Sequence, residues 1–282
     1  MLRRIVIVLC ALAAASPADA VVGGHETAPG AWPFAGALVE HGSPDARSGQ
    51  FCGATLIAPR LALTAAHCVT RPGSTAVVRR RLDLIVGQHR LSAGKRGRAA
   101  IIEIRVHPAY SPTTFAWDAA LIRLARPLAA APATLPGTLE SSLAPGTALV
   151  AIGWGATNLA GSSFPDALHE ASLEVQPDDT CRSTYGSEFD AGSVLCAGVT
   201  AGGIDTCDGD SGGPLLLPGP SGAILIGITS FGGACGAADT PGGYTRVSAL
   251  VPWLAAKAPS DRVRTLQSVR LQRAIAAKRH PW

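Results

Sequence analysis

Residues 205–214 read Asp205-Thr206-Cys207-Asp208-Gly209-Asp210-Ser211-Gly212-Gly213-Pro214. A serine between glycines in this way satisfies G-x-S-x-G, the pattern of the strand-turn-helix nucleophile elbow of α/β-hydrolases. That elbow needs a helix directly after the serine. Gly212-Gly213-Pro214 followed by Leu215 to Leu217 does not start one, because glycine and proline are the poorest helix formers. The acid and histidine required downstream would have to be Asp239 or Asp261 and His280, and that histidine lies in the terminal tail. The serine loop is therefore read as something other than this elbow, and the chain around it decides what.

Working outward, 47% of the 282 residues are apolar and only 16% are charged, which excludes a disordered chain. The 32 Gly and 21 Pro interrupt every stretch and exclude a coiled coil, and no Gly triplet recurs as collagen requires. The length allows one large or two small domains with a substantial core. Net charge is +4, unevenly placed: residues 1–20 carry +1 and residues 260–282 carry +5, which leaves −2 for residues 21–259. The body is nearly neutral, so no nucleic-acid partner is expected for it. The basic tail is read either as a tether to an anionic surface or as a solvated end. Its Val263, Leu266, Val269, Leu271 and Ile275 form no single helical face.

Residues 1–20 read as a secretory signal. Arg3 and Arg4 precede an apolar run from Ile5 to Ala15, and the small-residue site Ala18-Asp19-Ala20 follows. The run is about half the roughly 20 residues a membrane span needs, and no later stretch reaches that length. Cys10 leaves with the signal, and Leu9 before it is too large for a lipoprotein site. Six cysteines then remain in an oxidising compartment, extracellular or periplasmic, with 15 conceivable pairings.

Short β-rich runs recur between turn signals at Thr55 to Ile57, Ile101 to Val106, Leu121 to Leu124, Ala148 to Ile152, Ile224 to Phe231 and Tyr244 to Val247. Strands so spaced predict barrels or sandwiches. A Pro- and Ala-rich stretch from Pro127 to Gly146 divides the set and is read as an interdomain linker, and a short helix is expected from about Ala249 to Ala258.

Two further segments complete the chemistry of the serine loop: Thr64-Ala65-Ala66-His67-Cys68 and Asp118-Ala119-Ala120-Leu121. A serine hydroxyl is a poor nucleophile until a base takes its proton, and imidazole suits that task near neutral pH. A buried carboxylate fixes the imidazole tautomer and stabilises its cation. Backbone N–H groups near glycines can converge on a developing oxyanion, each worth roughly 3 to 4 kcal/mol in the transition state. These segments, in this order, resemble the chymotrypsin-like serine proteases, specifically the trypsins. The likeness runs from Val21 to about Ala258 through Val21-Val22-Gly23-Gly24, Gly153-Trp154-Gly155, Ser230-Phe231-Gly232 and Pro241-Gly242-Gly243-Tyr244.

The resemblance implies an all-β fold of two packed six-stranded antiparallel β-barrels, at about 36–126 and 147–248 of a protease domain spanning 21–259, with a short C-terminal helix and the basic tail. It implies that His67 is the general base and then acid, that Asp118 orients it, and that Ser211 is the nucleophile. Gly209 and Ser211 would supply the oxyanion hole through their backbone N–H groups. Ser230 would support Asp118 and bind substrate backbone. Asp205 would floor the primary specificity pocket for an Arg or Lys side chain. Thr206 would stand beside it, Gly232 and Gly242 on the wall, and Phe231 as an aromatic ledge in place of a more usual Trp. Asp208 at the entrance is read either as disfavouring acidic residues around the cleaved bond or as a solvated surface carboxylate. The cysteines would pair Cys52 with Cys68, Cys181 with Cys196 and Cys207 with Cys235. A freed Val21 amine would pair with Asp210, released either by signal peptidase after Ala20 or through a Ser16 to Ala20 propeptide.

The sequence also departs from the pattern. Calcium-binding trypsins carry two glutamates in a loop whose counterpart here, Gln88-His89-Arg90 through Lys95-Arg96-Gly97-Arg98, is basic, so no metal is expected there. Val69 to Leu82 is longer than in digestive trypsins and holds Arg79-Arg80-Arg81, read either as a border of the cleft or as a solvated, self-cleavable loop. His25, His41, His89, His107 and His169 lack metal-ligand spacing. The resulting expectation is a secreted, monomeric serine endopeptidase without cofactor, taking polypeptides at exposed Arg or Lys and meeting protein protease inhibitors. The alternative class is an inactive homologue acting as a binding module.

Overall fold

The computed structural model describes residues 21–78, 81–94, 97–137, 143–219, 222–257 and 263. Its elements run β1 (His25–Glu26), β2 (Ala35–Glu40), α1 (Ala46–Gly49), β3 (Gln50–Ala58), β4 (Leu61–Thr64), β5 (Leu82–Val86), β6 (Arg98–Val106) and β7 (Ala120–Leu124). The second half adds β8 (Ala148–Gly153), β9 (His169–Val175), α2 (Asp178–Tyr185), β10 (Val194–Gly198), β11 (Pro214–Leu217), β12 (Ile224–Phe231), β13 (Gly242–Arg246) and α3 (Val247–Lys257).

The first barrel closes in the order β2-β3-β4-β7-β6-β5, every pair antiparallel. The second follows β9-β10-β13-β12-β11-β8 and closes through β8 with β9; the two-residue β1 adds to β9 from outside. These are the two six-stranded antiparallel barrels expected. β9 alternates buried and exposed along His169-Glu170-Ala171-Ser172-Leu173-Glu174-Val175, the pattern of a strand with one wet face. Cys52 to Ala58 of β3 and all of β4 are buried on both faces. One apolar cluster joins Leu56, Leu63 and Ile122 of the first barrel to Leu216, Leu225 and Ile228 of the second, so the barrels share a core at their contact.

Three features go beyond that outline. Val247 does not end the last strand: β13 stops at Arg246 and Val247 opens α3, two residues ahead of the start read from sequence. Where it is described, the Pro127 to Gly146 stretch is a strap rather than a free linker. Leu128 and Ala133 donate backbone hydrogen bonds to Pro59 and Leu56 of the first barrel, and Leu225 of the second donates to Thr134. Leu128, Ala133 and Leu135 are buried along it. Thirdly, the chain ends cross over. β1 lies on the second barrel, while α3 sets Trp253 edge-on to His107, which stacks on Trp117 at 4.7 Å beside the first barrel. Burial in that stack pushes the His107 imidazole below its ordinary pKa.

The three disulfides pair Cys52–Cys68, Cys181–Cys196 and Cys207–Cys235. Their sequence separations of 16, 15 and 28 each give roughly 3 to 3.5 kcal/mol in the chain-entropy model. Residues 1–20, the Arg79-Arg80 pair, Lys95-Arg96 and the tail except Val263 lie outside the described residues. Val263 packs against the shared core cluster. Among the described residues no helix is long and apolar enough to cross a membrane.

Candidate active site

His67 and Asp118 come from adjacent strands of the first barrel. His67 follows β4 by three residues, Asp118 precedes β7 by two, and β4 and β7 pair with Thr64 opposite Ala120. Asp118 is fully buried. It accepts from the His67 backbone N at 2.9 Å, from His67 Nδ1 at 2.6 Å and from Ser230 Oγ at 2.6 Å. Thr245 Oγ1 holds its backbone carbonyl at 2.8 Å. A carboxylate at Nδ1 keeps the proton on that nitrogen and leaves the Nε2 lone pair free to act as a base.

Ser211 comes from the second barrel, in the loop before β11, and lines the same cleft as His67. Its carbonyl accepts from Gly53 N of β3 at 2.7 Å, a bond across the two barrels. Gly212 has φ +81°, and a Cβ there would come within 2.2 Å of Thr64 Oγ1 and 2.6 Å of the Gly53 carbonyl. Only glycine lets the serine turn approach the first barrel this closely. Two residues before the serine, Gly209 has φ +92°. The carbonyl of Asp208 accepts from Ala156 N at 2.8 Å, and that of Gly209 accepts from Gln50 Nε2 at 2.8 Å.

The cleft is a cavity of about 350 Å³ whose lining includes Asp205, Thr206, Asp208, Ser230, Phe231, Gly232 and Gly242 together with His67 and Ser211. All the expected substrate-contacting residues therefore meet in one place. Asp205 is 9% exposed; its Oδ2 accepts from Gly236 N at 3.1 Å, while its buried Oδ1 has no hydrogen-bond partner. Burial pushes its carboxyl up to about 6. Thr206 Oγ1 lies 3.0 Å from Tyr244 Oη. A Cβ built on Gly232 would meet nothing nearer than Gly242 Cα at 3.9 Å, so neither glycine narrows the slot with a side chain. Asp208 is exposed at the rim, with Gly161 facing its carboxylate.

Asp210 is 1% exposed and accepts from Gly155 N at 2.8 Å and Cys207 N at 3.0 Å. Burial, aided by the neighbouring Asp205 and Asp208 charges, pushes its carboxyl up to about 7. Val21 and Val22 are buried too, and the Val22 carbonyl accepts from Asp205 N at 3.0 Å. Val21 carries φ +54°, a value a β-branched residue rarely adopts.

Sequence reasoning missed Gln50, Phe115 and Tyr185. The Phe115 ring stands edge-on to His67 at 5.7 Å and 6.0 Å from Phe231, which in turn meets Tyr185 edge-on at 5.1 Å. Phe115 reaches the cleft through a backbone with φ +54°, so no periodic pattern signals it. The remaining histidines serve packing and surface pairs: His25 with Glu170, His41 with Asp83, and His89 with Glu26. Cys52 and Cys68 sit beside His67, but their sulfurs are bonded to each other and offer no thiolate to a metal. In the long Val69 to Leu82 segment, Thr70 bridges Val77 in a short hairpin, and Arg81 is exposed.

Two antiparallel barrels with an Asp-His pair from one and a serine loop from the other define the chymotrypsin-like class of serine protease. The Trypsin family model matches residues 21–254, and the chain belongs to that family. It is 37% identical over 229 residues to a protein named Trypsin from Saccharopolyspora erythraea, covering 81% of this chain and 94% of that one. It is 38% identical to Serine protease 56 of Homo sapiens over 83% of this chain, and 36% identical to Transmembrane protease serine 9 of Rattus norvegicus over 84%. The match spans only 38% and 22% of those two longer proteins.

Proposed function

We propose that this trypsin-family protease is an endopeptidase that cuts after Arg or Lys through an acyl-enzyme. The observation that carries the reading is the Asp205 carboxylate, buried with Oδ1 unpartnered at a glycine-walled cavity. A buried, incompletely paired carboxylate is costly, and a guanidinium or ammonium entering the cavity relieves that cost. In the reaction, His67 Nε2 takes the Ser211 proton as Oγ attacks the scissile carbonyl. The N–H groups of Gly209 and Ser211 receive the oxyanion, and His67 returns the proton to the leaving amine. Water, activated by the same imidazole, then hydrolyses the ester. The Phe115 ring stands 5.7 Å from that of His67, which favours a small residue immediately ahead of the Arg or Lys.

The same reading makes Asp210 the partner of a free Val21 amine. Support comes from its burial with two N–H donors and from the burial of Val21 and Val22, the latter packed with Ala156 and Cys207. Cleavage after Ala20, the bond a signal peptidase would cut, then completes the site during export to an extracellular or periplasmic space. Pairing favours the charged amine, so activity is present below its pKa and declines as alkaline pH removes that proton. The domain would then be 21–259, acting as a monomer open to protein inhibitors.

Hydrolysis of arginyl, leucyl and glutamyl amides by the secreted protein and by Ser211→Ala tests the reading. Arginyl cleavage lost in the variant is expected, and preference for leucyl or glutamyl substrates would overturn it. N-terminal sequencing that begins at Ser16 would refute the direct activation route.

A further inference from the structure

Gly209 poses a mechanical problem. As a glycine at φ +92° it has the backbone freedom that lets its N–H swing away from a developing charge, so whatever aims that N–H must come from its neighbours. Two contacts do so. Ala156 N holds the Asp208 carbonyl at 2.8 Å; since a trans peptide points its N–H opposite to its C=O, this turns the Gly209 N–H away from Ala156. On the other side of the same Cα, Gln50 Nε2 holds the Gly209 carbonyl at 2.8 Å. With both flanking peptide planes anchored, φ and ψ of Gly209 are fixed together.

We propose that Gln50 is a positioning residue for the oxyanion donor at Gly209, clamping from the first barrel a peptide that belongs to the second. The inference rests on the Ser211 chemistry proposed above. Gln50 opens β3, the strand whose Gly53 N also holds the Ser211 carbonyl at 2.7 Å, so one rigid strand fixes the carbonyls of both donor residues. An amide is suited to this because it donates at every working pH. It is not among the residues lining the cleft with His67 and Ser211, and acts through Gly209.

The test uses enzyme secreted from the full-length chain, with Gln50→Glu and Gln50→Ala. Glu keeps the size but presents an acceptor to a carbonyl oxygen, and regains a donor only when protonated. Arginyl-amide kcat is expected to fall about tenfold or more with KM within about twofold, since a misaimed donor is felt mainly in the transition state. Affinity for an arginyl aldehyde, which forms a tetrahedral oxyanion, should weaken by the same factor, while affinity for benzamidine, which only fills the cavity, should not change. The kcat ratio of Gln50→Glu to wild type should climb as pH falls toward 5; that of Gln50→Ala should stay flat. Unchanged kcat in both variants overturns the clamp, as does loss of benzamidine binding in step with kcat, which marks general damage. An inactive wild type overturns the underlying reading and the clamp together, so the two failures are told apart.

Discussion

The two barrels treat their buried carboxylates differently. At the first-barrel end, Asp118 accepts from three donors, and Asp83 is held between His41 Nδ1 at 2.8 Å and Arg98 Nε at 2.7 Å. In the second, Asp205 keeps an unpartnered oxygen and Asp210 has two backbone donors, and burial raises both carboxyls. The first-barrel carboxylates are fully partnered inside the folded chain, Asp118 with the help of Ser230 from β12 of the second barrel. The second is finished by cations arriving from elsewhere, a substrate side chain for Asp205 and the Val21 amine for Asp210 in the reading proposed here.

The contrast can be broken in order of effect. Asp118→Asn removes the completed pair and admits the wrong imidazole tautomer; arginyl-amide kcat should drop about 10⁴-fold with the fold intact, and a loss below tenfold would mean the first barrel contributes no tuned base. Asp205→Ser removes the waiting charge: kcat/KM for arginyl substrates should fall roughly 10³-fold, the order expected for unpairing a buried cation, while leucyl cleavage persists or rises. Equal losses on both substrates would instead indicate a damaged fold. Asp83→Ala should leave specificity alone and lower stability by about 3 kcal/mol, because the mostly buried Arg98 loses its carboxylate and keeps only the Ser43 and Glu40 carbonyls; thermal unfolding of that variant on a Ser211→Ala background, which prevents self-digestion, measures it.

The smallest effect is a pH dependence. A carboxyl pKa raised in the folded state means that the folded form holds its proton longer than the unfolded one. The stability this gives is fully present below about pH 4 and is lost as pH rises through about 6 for Asp205. The melting temperature of unliganded Ser211→Ala should therefore carry a downward step of several degrees across that window. Asp205→Asn should flatten the step, and benzamidine should suppress it by favouring the ionised form. A step that survives Asp205→Asn would assign it to another group.

Much of this was legible in the sequence because the chemistry demands particular side chains. His67, Asp118, Ser211 and the pocket residues announce themselves by type and order, and a serine followed by Gly-Gly-Pro cannot enter a helix. Strands were harder. β2 begins Ala35-Gly36-Ala37 and β4 is only Leu61 to Thr64, so neither offers the β-branched alternation by which strands are recognised. Val247 continues a β-rich run in composition, but the backbone turns there to bury it with Leu250 and Leu254 on one helix face. Gln50 and Phe115 could not be found by pattern at all. Each is a lone residue whose meaning comes from what the fold sets beside it, the Gly209 carbonyl in one case and the His67 ring in the other.

The crossed ends have a consequence for wear. With β1 laid on the second barrel, Trp253 of α3 set against His107 beside the first and the strap hydrogen-bonded to both, the two halves are laced together at three separate places. A single nick in a surface hairpin such as the one at 70–77 therefore severs a covalent path without freeing a fragment. The chain gains tolerance to being cut there, because none of those three contacts passes through the hairpin.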